Sequence, residues 1–168
     1  ERPSITMSPV EESDFYYLKV HNNGGTAKFK AQIELLSDDP STLPFYPSGT
    51  YYGFWETTKK DYAEIYKGQE SRIIIAERKS TLHSPSVHLQ IFFYDSRYDQ
   101  PKLVTTSNHW VGGWSEHKDG TSEPLSVFVY KLCVTVSSEP SLREEFYKTD
   151  YILTIDNIKE ESNGCSKE

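Results

Sequence analysis

The feature that most limits what this chain can become is an unbroken alternation over residues 27–35. Ala27, Phe29, Ala31, Ile33 and Leu35 are apolar, while Lys28, Lys30, Gln32 and Glu34 are polar or charged. Side chains of period two belong to a β-strand with one dry face, because successive Cβ atoms point to opposite sides of the pleat. Asn22-Asn23-Gly24-Gly25 stands before it, and Tyr16-Tyr17-Leu18-Lys19-Val20-His21 before that. Asn and Gly tolerate φ > 0, so the sequence predicts a β-hairpin here, with at least one left-handed residue between Asn22 and Gly25.

Further strand patterns follow. Tyr51-Tyr52-Gly53-Phe54-Trp55 reads as a short strand, and Asp61 to Lys67 as another short strand or an irregular crossing. Glu70 to Glu77, with Ile73-Ile74-Ile75 in its middle, reads as a strand buried on both faces. Val87 to Tyr94 alternates again. Leu125 to Ser137 places Phe128, Tyr130, Leu132, Val134 and Val136 on one face and Cys133 on the other, and a last strand runs from Phe146 to about Asp156. No segment carries a ten-residue amphipathic helical pattern. A 14% aromatic fraction suits pleated, half-buried surfaces. The expectation is an all-β, antiparallel sandwich of about 7–9 strands with little helix, occupying residues 1–158, with 159–168 as a flexible tail.

The run Leu18-x-Val20-x-Asn22-x-Gly24-x-x-Ala27-x-Phe29 resembles the second and third strands of bacterial cell-adhesion-related (CARDB-like) immunoglobulin-like domains. It is also similar to small sandwiches beside membrane anchors in bacterial proteins. The resemblance covers the first 35 residues and extends loosely to the strands at 68–76 and 87–94. It implies an immunoglobulin-like β-sandwich and a tethering habit, with no catalytic residues to carry over. The long segments at 37–55 and 105–124 depart from that pattern. A chain opening at Glu1 without Met reads as an excised piece, tethered to a membrane only through a missing N-terminal anchor.

The charge of −7 and the absence of clustered Lys/Arg argue against nucleic acid. Four histidines, His83, His88, His109 and His117, occupy one central stretch, but neither an H-E-x-x-H pair nor a zinc spacing occurs, so no metal site is assigned. Acids at Asp95 and Asp99 read as turn formers. No G-x-S-x-G elbow or glycine-rich phosphate loop is present, so neither catalytic residues nor cofactors are assigned and the chain reads as non-enzymatic. A disulfide between Cys133 and Cys165 requires the tail to fold back onto the strand. Without a framework of close pairs, two unpaired thiols are expected.

The surplus aromatics are the remaining candidates. Tyr51, Tyr52 and Trp55 crowd one Gly/Pro/Ser-rich segment, Trp110 and Trp114 another. They close the ends of a sandwich, or they form a recognition surface for a protein or a glycan, since exposed rings bring large contact area at low entropy cost. Period two puts Tyr51, Gly53 and Trp55 on one face, Tyr52 and Phe54 on the other. At least one of the two sets is partly exposed unless the 105–124 segment covers it, and a cover is the expectation.

Overall fold

The computed structural model describes residues 2–36, 51–80, 87–95, 103–105, 110–112, 114–116, 122–124, 130–139, 145–154 and 157–161. All regular structure within them is strand: β1 (Ile5–Glu12), β2 (Phe15–Asn22), β3 (Ala27–Leu36), β4 (Tyr51–Tyr52), β5 (Phe54–Trp55), β6 (Tyr62–Ile65), β7 (Glu70–Ser80), β8 (Val87–Asp95), β9 (Leu103–Thr105), β10 (Trp110–Gly112), β11 (Trp114–Glu116), β12 (Ser122–Pro124), β13 (Tyr130–Glu139), β14 (Glu145–Leu153) and β15 (Ile158–Glu161). Every pairing among them is antiparallel. The protein is an all-β sandwich. Residues 158–161 are laddered onto β14.

One layer follows the order β1-β2-β7-β8, and the other β4-β3-β13-β14-β15. They are joined through β8, whose first half pairs with β7 and whose last residues pair with β4 and β9. At the opposite side β1 approaches β14 and β15. The space between the layers is filled by Tyr16, Leu18 and Val20 of β2, Phe29, Ala31 and Ile33 of β3, Ile73 and Ile75 of β7, and Leu132, Val134 and Val136 of β13. The expected faces of β3 and β13 are therefore the observed ones. The side chains of Leu89 and Ile91 of β8 lie outside the described residues. In β7 a bulge opposite Tyr16 and Tyr17 places Ile75 and Ala76 both inward, while Ile74 points out.

The hairpin expected at residues 22–25 is a correction. Strand β2 pairs with β1 and β7, β3 with β13, β4 and β6, so the Asn/Gly segment is an arch between layers. No residue of it has positive φ; among the described residues the positive values belong to Ser13, Asp14, Lys59 and Gly68. Gly24 is needed for space instead. A Cβ there would lie 2.2 Å from the Arg2 carbonyl oxygen and 2.7 Å from the Ser4 nitrogen. The true hairpin is β1–β2, closed by Ser13 and Asp14 at φ 51° and 66°. Two left-handed residues are what a two-residue type I′ turn requires, because its twist matches that of the strands.

Asn22 holds the arch. Its side chain is fully buried. Its Nδ2 donates to the carbonyls of Gly25 and Ile65, both at 2.9 Å, and its Oδ1 accepts from the Gly24 N–H at 3.0 Å. Ile65 ends β6 in the second layer, so one amide ties the end of β2 to the opposite sheet. Gly53 marks another crossing, between β4 of one layer and β5 of the other. Its N–H donates to the Ala31 carbonyl at 2.7 Å, and a Cβ would meet the Ile73 side chain at 2.9 Å.

Candidate functional site

The crossing at Gly53 decides the fate of the candidate aromatics. Alternation carries the Tyr51 and Trp55 rings inward, with 6% and 0% exposure, into the space between the layers. A ring without an exposed face offers no platform to a ligand, so these two residues serve packing. Trp55 Nε1 is buried without a hydrogen-bond partner among the described residues, a burden of about 1–3 kcal/mol that its ring area offsets. Tyr52 faces outward and is half-buried, with Lys30 Nζ 5.2 Å from its ring centre. Trp110 sits on β10, opposite His88 of β8, and Trp114 on β11, which pairs with β12 in a separate small sheet. The side chains of both tryptophans lie outside the described residues, as does the question of whether they cover the Tyr51–Trp55 segment. Of the three candidates whose side chains are described, Tyr51 and Trp55 belong to the core and Tyr52 is outward.

A different group does assemble. On the outer face of the first layer Tyr17, Phe54, Ile74 and Phe92 form a second apolar cluster, with Val10, Phe15 and Tyr52 packed against it. Phe15 stacks between Tyr17, at 5.9 Å, and Phe92, at 6.3 Å between ring centres. Signals for this face were present in the sequence: the Ile triplet of β7 and the paired Tyr16-Tyr17 both require apolar surroundings on two sides. What was missing was the strand order that brings β2, β5 and β7 side by side.

A charged rim borders the cluster. The Arg72 guanidinium lies 4.1 Å above the Tyr17 ring. Its Nη2 donates to both oxygens of Glu56, at 2.9 and 2.8 Å, and its Nη1 to Glu12 at 2.6 Å. A planar fork suits such bidentate pairing. The bonds to Glu56 and Glu12 push the guanidinium pKa further up, and burial followed by the Glu56 charge raises that of the Tyr17 hydroxyl. Beyond this pair opens a groove of about 290 Å³, walled by Val10, Lys19, Glu56, Thr57, Glu70 and Arg72. Lys19 and Glu70 approach to 3.8 Å across it. With cations and carboxylates alternating beside aromatic area, the groove can bind mixed-charge, partly apolar surfaces.

Among the described residues no group of three or more His, Cys, Asp or Glu side chains is arranged to hold a metal. His83, His109 and His117 lie outside the described residues. Cys133 is a second correction: it is disulfide-bonded, and the described residues contain no free cysteine.

The architecture defines an antiparallel β-sandwich with an aromatic, charge-rimmed outer face. Compared with protein-family profiles, curated protein sequences and solved structures, the chain matches none.

Proposed function

We propose that the domain is a non-catalytic, immunoglobulin-like interaction module whose partner is another protein, met by the outer face of the first layer around Tyr52, Val10 and the Lys19–Arg72 groove. The observation that carries this reading is the division of the aromatics. The flat rings suited to stacking on a sugar, Tyr51 and Trp55, point into the core. The outward set, by contrast, joins aliphatic side chains and a paired arginine, a combination typical of protein interfaces, where Tyr and Arg anchor contacts within a polar rim.

The test places a photoreactive side chain at Tyr52 or Lys19, and as control at Glu64, which is exposed on the other layer. Crosslinking in the native source is expected to give one discrete protein adduct from positions 52 and 19 and none from 64. Equal adducts from all three positions refute the assigned face. Binding on a glycan array abolished by Tyr52→Ala replaces the protein partner with a carbohydrate. Turnover of generic ester or glycoside substrates overturns the non-catalytic reading.

A further inference from the structure

Independently of that reading, we propose that Asn23 is a modification site gated by the arch: its side-chain amide is lost when the arch opens, and isoaspartate formed there keeps the arch from closing again. Asn23 and Gly24 are adjacent, and the Asn23 side chain is exposed while Gly24 is buried. An asparagine followed by glycine is the pair best suited to internal attack on the side-chain amide, because a residue without Cβ leaves its own nitrogen unhindered. In the closed arch that nitrogen is held. Its N–H donates to Asn22 Oδ1 at 3.0 Å in a buried bond, so solvent base does not reach the proton. The flanking residues are fixed as well. Asn23 N–H donates to the Ser4 carbonyl at 2.6 Å, and Gly25 N–H to the Arg2 carbonyl at 3.0 Å.

Opening frees the Gly24 nitrogen. Having given up its proton to solvent base, it attacks Asn23 Cγ. The new C–N bond closes a succinimide ring as the Cγ–Nδ2 bond breaks, and the amide nitrogen leaves as ammonia, taking a proton from water. Water then adds to one ring carbonyl and cleaves its bond to the Gly24 nitrogen. Cleavage at Cγ gives aspartate in an unaltered main chain. Cleavage at the α-carbonyl gives isoaspartate, whose main chain runs through Cβ and Cγ. The sum is one water consumed and one ammonia released, with no change of oxidation state.

The arch accepts one product and not the other. Aspartate alters only an exposed side chain. Isoaspartate lengthens the main chain between residues 23 and 24 by a methylene, ~1.5 Å. Gly24 has no room to shift, since even a Cβ would lie 2.2 Å from the Arg2 carbonyl oxygen and 2.7 Å from the Ser4 nitrogen. The longer link cannot keep the bonds to Ser4 and Arg2 together with the bond to Asn22. The amide that also reaches the Ile65 carbonyl of the opposite layer thereby loses its seat.

The test follows tryptic peptide 20–28 of the protein held at mildly alkaline pH, folded or in urea, with isoaspartate counted by an isoaspartyl methyltransferase. Asn163-Gly164, the same dipeptide, is the internal reference in urea. Folding is expected to slow amide loss at Asn23 at least roughly tenfold, an opening cost of about 1.4 kcal/mol. Asn22→Ala, assayed where circular dichroism shows it folded, is expected to recover much of the unfolded rate. Equal rates in folded and unfolded protein overturn the gate, and an unchanged rate in folded Asn22→Ala overturns Asn22 as its latch. In urea, loss at Asn23 far slower than at Asn163 overturns the reactive site. The isoaspartyl form, purified by anion exchange, is expected to unfold at lower urea than Asn23→Asp, and equal midpoints overturn the block to closing.

Discussion

Removing the Asn22 side chain tests whether the two layers are pinned at the arch. Three hydrogen bonds of 2.9–3.0 Å disappear in Asn22→Ala. Each contributes about 1 kcal/mol net, giving about 3 kcal/mol before any orphaned group is counted. The Ile65 carbonyl, whose bond to Asn22 is buried, and the Gly24 N–H then lose their side-chain partner, and a buried unsatisfied group costs a further 1–3 kcal/mol or so. The expected loss is about 4–6 kcal/mol, read from the midpoint of urea denaturation with the slope unchanged. Asn22→Asp keeps the acceptor for Gly24 but exchanges two donated bonds for oxygens facing carbonyls, so it is expected to be at least as damaging. If Asn22→Ala shifts stability by less than about 0.5 kcal/mol, as a surface change does, the amide is incidental and the arch is held by something else.

Leu132→Ala, at a fully buried site, is expected to cost about 2–5 kcal/mol by the same measurement. Ser13→Asn should raise stability by about 0.5 kcal/mol, since Asn accepts the left-handed conformation more readily than Ser; a loss would argue against strain in that turn. Arg72→Lys keeps the charge but loses the fork to Glu56 and the stacking on Tyr17, a loss of about 1 kcal/mol after discounting for a partly solvated site. Tyr17 has a folded-state pKa above its ordinary 10.0, so the fold favours the neutral phenol. Its contribution is complete below pH 10 and is lost as pH rises through the folded value. Tyr17→Phe should flatten the fall of stability in that alkaline window, and an unchanged slope would refute the assignment.

What could be read from the sequence follows from where each strand sits. Strands β3 and β13 lie inside their sheet, each burying one face, so their alternation alone named the core residues Phe29, Ile33, Leu132 and Val134. Strands β1 and β15 are the outer edges and escaped notice. Each lends few residues to the core, Ile5 and Met7 in one and Ile158 in the other, and β1 carries Pro9, which an edge tolerates. Asn-Asn-Gly-Gly encodes a reversal but not what the reversed strand pairs with; the choice between hairpin and arch depends on residues 2–4 packing against Gly24. Ser-Asp is a weak hairpin signal, so the real turn was overlooked. For the candidate site, alternation correctly separated Tyr51 and Trp55 from Tyr52 and Phe54. The outer cluster depended on strand order, which a one-dimensional pattern does not contain.

The placement of the crossings gives the sandwich a spine. Strand β8 and the Gly53 step stitch the layers together along one side, while at the other β1 and β15 approach without a ladder between them among the described residues. Such a body opens like a book, from the fore-edge. Amide exchange should be fastest in β1 and β15 and slowest in β7, β3 and β13, and pulling on the chain near β1 should peel strands singly before the spine yields. A mechanical load applied there would meet a graded resistance, so under tension the domain would lengthen in steps and keep its hinge intact.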